Sequence, residues 1–460
     1  MKLRTRRIIM FGFILAFFIL APVIIFYASG YRYDFKRNII LKTGSIYIES
    51  KGLKNAKLYL NDKLSDSLFS EKKFIYNLMP GEYQIRLAKD GYFPWQKKVT
   101  IQSGITTFVQ DIVLFENNIP LQIIDGQIKK FTFSPDEQKI IYLNINDGLS
   151  ELWLYDLVSQ NKELVYKFTS PKEIDFHWAP SSKKILINLG PDYLVIDVQN
   201  PQIIQTIKDI TKFSPLNVTW DTQSDNQVYA LSQSAIYKID LLQKSSQKIF
   251  GNPDLKINKE FFLEANDLFY IQEAATQNTL FKYNFNFKTT KKILDLSQAE
   301  NYGFIRSTNN FIGLIDSDNQ KLFLIKKTNT DLEVNINASE PIKEFDARSA
   351  VWDDKQKQLL LYNDFEISTY NPETDEKNFI NRYGQIIKKA EWYPDLSHLI
   401  ILLENNLQII DLDAADGVHQ ITEVVKFDHL DNFYLDAKGE NIYFNGQIGK
   451  QQGLYQLKLH

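Results

Sequence analysis

Residues 392–399, Trp-Tyr-Pro-Asp-Leu-Ser-His-Leu, join a large aromatic residue to a polar turn and then to the start of a β-rich run. The same phrase recurs as Phe133-Ser-Pro-Asp…Ile140, Trp178-Ala-Pro-Ser…Ile185, Trp220-Asp-Thr-Gln…Val228, Phe262…Leu268, Phe304…Phe311, Trp352-Asp-Asp-Lys…Leu359 and Leu435-Asp-Ala-Lys-Gly…Ile442. The eight lead residues are separated by 45, 42, 42, 42, 48, 40 and 43 positions. A strand-and-turn repeat of about 40–50 residues is the pattern of β-propeller blades, sheets too small to bury both faces alone. The spacing predicts an all-β propeller over residues 119–460.

After each lead residue and its second strand a further hairpin follows, at 152–168, 193–207, 235–250, 279–294, 321–336, 365–380 and 406–421, so each unit supplies four strands. The eighth unit has three, because Gly453-Leu-Tyr-Gln-Leu-Lys-Leu runs directly to the C-terminus. Pro120-Leu-Gln-Ile-Ile-Asp125, just before the first unit, supplies the missing one. A ring of sheets must pair its first and last members or expose strand edges, so this segment is expected to complete the last blade. Eight blades result, with seven as the alternative if the weakly marked fourth and fifth units merge.

The 460 residues carry 56 acidic and 53 basic side chains, a net charge of −3, and no cysteine. No basic block is long enough to neutralise a run of phosphates, which argues against a nucleic-acid partner. Without cysteine there is no disulfide framework, thiolate nucleophile or cysteine metal site. Residues 8–31, from Ile8 to Tyr31, are uncharged and long enough to cross a hydrocarbon core of about 30 Å as a helix. Lys2, Arg4, Arg6 and Arg7 lie in or beside a stub at residues 1–7, and Arg32, Lys36 and Arg37 follow the span, offset only by Asp34. The positive-inside rule places the stub in the cytoplasm and the rest of the chain outside. A cleaved signal peptide is the rival, with Ala28-Ser29-Gly30 as its small-residue site, but the apolar run exceeds the usual h-region.

Between 43 and 115 the period changes to two. Ser45-Ile-Tyr-Ile-Glu, Ala56-Lys-Leu-Tyr-Leu, Tyr83-Gln-Ile-Arg-Leu, Val99-Thr-Ile and Phe108-Val-Gln-Asp-Ile-Val-Leu alternate apolar and polar, with turns such as Asn61-Asp62 and Pro80-Gly81 between them. This predicts a small β-sandwich. The Gly-Glu-Tyr strand entry at 81–83 and the Gly91-Tyr92 after that strand give the segment a resemblance to the PEGA domain family of bacterial surface proteins; where Pro-Glu-Gly-Ala would stand the chain reads Leu53-Lys-Asn-Ala56. The resemblance implies a surface binding or spacer module and brings no catalytic residues. Phe93-Pro94-Trp95 is either a packed part of the sandwich core or an exposed contact patch. The Ser134-Pro-Asp-Glu, Tyr393-Pro-Asp-Leu and Asp436-Ala-Lys-Gly turns are similar to those of TolB-like propeller repeats, and the Trp-Asp and Gly-His marks of WD40 repeats are missing.

No Gly-x-Ser-x-Gly elbow occurs. His177, His398, His419, His429 and His460 lack metal-helix spacing, so no zinc site is expected. Asp411-Leu-Asp-Ala-Ala-Asp416-Gly417 resembles a calcium loop but carries its third Asp one place late, and it falls where a hairpin must turn; Asp316-Ser-Asp318-Asn319 reads the same way. The tryptophans heading four units would be sugar platforms only if exposed, and their repeated position assigns them to the core. No catalytic, cofactor-binding or metal residue is therefore assigned. The sequence predicts a single-pass membrane protein, extracytoplasmic for most of its length, whose propeller binds a protein, peptide or envelope glycan and is not an enzyme. The alternatives are an extracytoplasmic polysaccharide-acting enzyme with carboxylates gathered on one propeller face, and a purely structural envelope component.

Overall fold

The computed structural model describes residues 3–35, 37–146, 148–168, 174–305, 308, 310–327, 342–353, 355–414 and 417–460. They divide into two compact units. The first holds 1–119 with 410–422 and 458–460, and the second holds 120–409 with 423–457.

The first unit opens with a helix, Leu3–Ala28, that includes Pro22 and buries none of its residues against protein. Its most apolar stretch has a mean hydropathy of 3.0. At 1.5 Å per residue a helix of this length reaches about 39 Å, enough to cross a bilayer core. The boundaries differ from the sequence expectation of 8–31. The helix starts early enough to take Arg4, Arg6 and Arg7 into its first turns, and it stops at Ala28 because Gly30 turns the backbone to φ +87°. Tyr31 then begins an antiparallel hairpin, Tyr31–Asp34 with Ile39–Lys42.

Two sheets follow. One has the order Lys72–Leu78, Gly44–Ser50, Thr106–Ile112, and the other Lys63–Phe69, Ala56–Leu60, Gly81–Ala88, Trp95–Ile101. Burial along Gly44–Ser50 alternates strictly, so Ile46 and Ile48 face inward onto Leu58, Ile85, Leu87 and Val99. Seven strands stand where the alternating pattern marks five. Lys63–Phe69 and Lys72–Leu78 are mostly exposed strands whose polar residues interrupt the apolar alternation.

The second unit consists of eight four-stranded sheets among the described residues. The first is Gln127–Phe133, Lys139–Asn146, Leu149–Asp156, Lys162–Lys167, each strand antiparallel to the next. The fourth is Ile257–Glu264, Asp267–Gln272, Asn278–Asn284, Thr289–Leu296. The fifth is Tyr302–Ile305, Phe311–Asp316, Lys321–Lys326, Ile342–Asp346. The last strand of this fifth sheet comes later than the 321–336 hairpin expected from sequence. Residues 328–341 lie outside the described residues, and the pairing strand is Ile342–Asp346, which buries Phe345. In the second sheet the final strand, Ile204–Thr206, gives way at once to a short helix, Ile207–Thr211, that buries Ile207.

Neighbouring sheets share cores. Leu143 and Leu152 of the first pack with Phe176 and Ile185 of the second, and Phe269 and Leu280 of the fourth pack with Leu314 and Ile325 of the fifth. The eighth sheet takes Leu121–Asp125 as an outer strand beside Gln451–Lys458, Asn441–Ile448 and His429–Leu435. Leu121 faces Gln456 and Asp125 faces Gly453. The eighth sheet also packs on the first. Phe133 stacks on Tyr434 with ring centroids 4.0 Å apart, Asn445 Nδ2 donates to Ile128 O at 2.9 Å, and Tyr443 and Leu454 join the core of Phe131 and Tyr142.

Deleting Pro120–Asp125 should uncover the edge of Gln451–Lys458 and the core residues that Ile124 packs against, so the variant should aggregate or melt at a lower temperature than the wild type. A melting temperature unchanged by calorimetry would show that the pairing contributes nothing.

Candidate functional site

The recurrent lead residue is first a structural device. Trp178 Nε1 donates to Thr132 O at 3.5 Å, Trp220 Nε1 to His177 O at 3.2 Å, and Trp392 Nε1 to Val351 O at 3.0 Å. In every case the acceptor is the residue just before the lead residue of the preceding sheet, so one indole ties two sheets together. These three rings are partly buried rather than fully so, and Trp352 is buried outright. Trp352 Nε1 has no hydrogen-bond partner among the described residues, and its ring lies instead against Phe311 at 6.0 Å.

Four residues after the lead, the turn enters the left-handed region: Glu137 at φ 55°, Ser182 at 64°, Gln356 at 56°, Leu396 at 62° and Gly439 at 72°. The acidic residues preceding these positions hold the turn. Asp395 Oδ1 accepts from Ser397 N at 2.8 Å and His398 N at 3.1 Å, and its Oδ2 lies 2.7 Å from His398 Nδ1. Asp436 accepts from Glu440 N and Asn441 N in the same way. Glu137 reaches the eighth sheet, accepting from Tyr434 OH at 2.8 Å and Ala437 N at 2.9 Å.

The loops that join strands at one end of the fourth and fifth sheets enclose an open polar cleft of about 540 Å³. Lys256 precedes Ile257–Glu264, Glu273 and Ala275 follow Asp267–Gln272, Gln298 and Glu300 follow Thr289–Leu296, and Asp318 follows Phe311–Asp316. Beneath them the buried Asn278 donates to Ala299 O at 3.0 Å, and the buried Asn258 donates to Glu273 Oε1 at 2.9 Å. Lys256 Nζ lies 2.6 Å from Glu273 Oε2. Burial pushes the Glu273 carboxyl up, and the Lys256 ammonium and Asn258 amide more than offset this, leaving it below its ordinary value. The Asn301 amide and the N–H groups of Glu300 and Asn301 hold Asp318 below its ordinary value too. Both acids are therefore kept ionised and fixed in place by donors within the protein. Sequence reasoning missed this cleft because its residues lie at loop positions far apart in the chain, with no local motif.

The other acidic and histidine positions are engaged elsewhere. Asp316 is buried and accepts from Ser297 Oγ at 2.7 Å and Asn319 Nδ2 at 2.9 Å, which makes Asp316-Ser-Asp318-Asn319 a turn lock. In the first unit, Asp411 Oδ2 accepts from the indole of Trp95 at 3.2 Å, Asp413 pairs with Lys97, and His419 Nδ1 lies 2.8 Å from Asp411 O. Asp416, the third acid of that loop, lies outside the described residues. Trp95 itself is buried in the sandwich core. His429 Nε2 lies 2.8 Å from Asp431 Oδ1, and His460 packs on Phe115. Burial, aided by Lys130, pushes His177 below its ordinary value. Among the described residues no group of three or more His, Asp or Glu is placed to hold a metal ion. Glu260 stands apart: burial pushes its carboxyl up, and Lys259 opposes that only in part.

The outer face of the three-stranded sheet carries a row of aromatic rings. Tyr47 is in register with Phe74 and Phe108 on its two neighbours, with ring centroids at 4.5 and 5.7 Å, and Tyr76 lies parallel to Phe74 at 5.5 Å. Phe108 and Tyr76 remain 61% and 64% exposed.

Residues 73–113 match the PEGA domain family. Comparison with curated proteins finds no match. Among solved structures, the chain is similar to the Dos1 propeller at 9% identity, over 75% of this chain and 95% of that one, with a TM-score of 0.51. It is similar to the C-terminal WD40 domain of Sif2 at 11% identity, over 74% and 99%, with a TM-score of 0.49. It is also similar to an oligogalacturonate lyase in complex with manganese at 11% identity, over 75% and 96%, with a TM-score of 0.39. The likeness to the Dos1 propeller identifies the β-propeller fold, and at such identities it identifies the fold alone.

Two predictions follow from these interactions. Trp392→Phe removes an indole N–H that is bonded, whereas Trp352→Phe removes one that is not, so the former should cost about 1 kcal/mol more in urea unfolding. Equal costs would mean that the inter-sheet bond is energetically silent. For Glu260, a raised folded-state pKa gives stability that is present in full below the ordinary value of 4.5 and is lost as pH rises through the folded value. Glu260→Gln should thus melt above the wild type at neutral pH, with the gap closing as pH falls toward 4.5.

Proposed function

We propose that this chain is a single-pass membrane protein with a cytoplasmic N-terminus and its β domains outside, where a closed eight-bladed propeller binds an extended polar ligand, a peptide or an envelope glycan. The basic residues Arg4, Arg6 and Arg7 at the start of the apolar helix support the orientation. The strand Leu121–Asp125 beside Gln451–Lys458, with the packing of the eighth sheet on the first, supports closure with eight blades.

The polar cleft between the fourth and fifth sheets carries the binding reading. Its side chains are charged or amide-bearing, its buried asparagines fix the loops from below, and its two acids are held ionised by neighbours. A general acid needs the opposite, a carboxyl held neutral near working pH. Prepositioned amides and charges in an open groove suit recognition of a hydrogen-bonding polymer instead. The protein acts as a binder or scaffold and catalyses no reaction on that ligand.

The full chain in detergent or nanodiscs should retain an envelope peptide or glycan from fractionated material and turn over none of a glycan, peptide and ester panel. Lys256→Ala and Gln298→Ala should each weaken retention about tenfold, the loss expected for one charge-assisted or well-placed hydrogen bond. Retention untouched by either would move the site away from the cleft. Turnover abolished by a single Asp or Glu substitution that leaves the melting curve intact would replace the binder with an enzyme.

A further inference from the structure

The hairpin that follows the apolar helix touches the rest of the protein only in part, through Arg32, Tyr31 and Lys42, and leaves Tyr33, Phe35, Ile39 and Ile40 exposed. Its strands pair only with each other, and an isolated two-stranded hairpin is marginal in water. The register sorts its side chains. Tyr31, Tyr33, Ile40 and Lys42 share one face, and Arg32, Asp34, Ile39 and Leu41 the other. The first face is aromatic and uncovered. Tyr31 meets Phe26 of the helix at 5.3 Å, Tyr33 meets Phe35 at 5.0 Å, and Phe35 and Ile40 are 84% and 62% exposed. Such a surface in water would be costly, at about 25 cal/mol per Å² of apolar area.

Position identifies what covers it. Only Ser29 and Gly30 separate the end of the helix from Tyr31, so a helix that spans a bilayer delivers the hairpin into the headgroup layer. Arg32 locks the geometry. Its guanidinium lies 3.5 Å from the centre of the Tyr27 ring and donates to Tyr27 O at 2.6 Å and to Asn77 Oδ1 at 3.3 Å, joining helix end, hairpin and sandwich strand. Tyrosine is enriched at this depth because its ring is apolar and its hydroxyl polar, and the exposed Lys42, with the exposed Arg37 whose Nε lies 3.9 Å from Asp34 Oδ2, places positive charge where lipid phosphates lie.

We propose that residues 31–35 and 37–42 form an interfacial anchor, with Tyr33, Phe35 and Ile40 seated in the phospholipid headgroup layer and Arg37 and Lys42 against lipid phosphates. The anchor rests on the membrane-spanning reading of the helix and adds to it a fixed height and tilt for the sandwich above. A lone helix followed by a flexible linker would leave the sandwich free to swing; a hairpin held at both the helix and Asn77 would not.

The sequence contains no cysteine, so single introduced cysteines can carry a nitroxide label in the full chain. Phe35→Cys and Ile40→Cys would be compared with Phe17→Cys in the helix and Val158→Cys on the second unit, all in vesicles of phosphatidylcholine and phosphatidylglycerol. Labels at 35 and 40 should relax with oxygen and lose relaxation by an aqueous nickel chelate, whereas the label at 158 should do the reverse. If the label at 17 is in lipid while those at 35 and 40 are fully open to the chelate, the interfacial anchor is overturned and the spanning helix stands. If the label at 17 is also open to the chelate, the helix reading falls and the anchor with it. Melting curves matching the wild type show that each variant is folded, and the two hairpin positions serve as independent readings.

Discussion

The second unit depends on one constraint: its sheets are apolar on both faces and must be covered on both. The central strands leave no alternative. Leu359–Tyr362 and His398–Leu402 are buried at every position, and Ile185, Leu186 and Ile187 run consecutively through a third. Consecutive buried residues point alternately to opposite faces, so each sheet supplies half of two cores. At about 1.5–3 kcal/mol for each fully buried aliphatic side chain, stripping one face would outweigh the stability of an ordinary domain. A linear stack of such sheets would expose a face at each end, and residues of the first and eighth sheets, Phe131 and Tyr142 with Tyr443 and Leu454, share one core.

The lead residue answers a second demand. Flat side chains stack well between sheets that splay, but an aromatic ring cannot fix register by itself. The indole N–H of Trp178, Trp220 and Trp392 does so by reaching a carbonyl on the preceding sheet, and Tyr434 and Glu137 make a comparable link between the eighth and first. The boundary between the fifth and sixth sheets lacks this link. Trp352, on the sixth, finds no carbonyl among the described residues, while the fifth spans the longest interval between lead residues and its final strand arrives late at Ile342. The polar cleft opens at the other boundary of this same sheet, where Asp318 and Gln298 line the space between loops.

Much of this was legible in the sequence, because large residues at or near the ends of the first strands repeat with the sheets. The turn chemistry was legible for the same reason: Asp395 and Asp436 act on backbone N–H groups only a few residues away. Other features depend on partners remote in sequence. Lys63–Phe69 and Lys72–Leu78 form strands although their exposed polar residues break the alternation, since neighbouring strands supply the hydrogen bonds that their own pattern does not announce. Tyr31 reads as the last residue of the apolar span, and the strand it opens appears only because Gly30 turns the chain. The cleft joins Lys256, Glu273, Gln298 and Asp318, four positions with nothing in common until the sheets place them together.

The same placement bears on what the site can do. In a cleft open to water, a carboxyl becomes a proton donor only if burial outweighs its donors, and at Glu273 the balance runs the other way: Lys256 and Asn258 overcome burial. Removing either donor would leave a half-buried charge and not create an acid catalyst, because the solvent that enters an open cleft would stabilise the ionised form. Glu260 has the reverse balance, with burial dominant, yet it lies on the first strand of the fourth sheet and is not among the residues that line the cleft. The carboxyl with the tuned proton and the residues that could hold a ligand thus occupy different places. Acid catalysis on a ligand in the cleft would need both in one place, which supports the proposed binding reading, since recognition needs only the second.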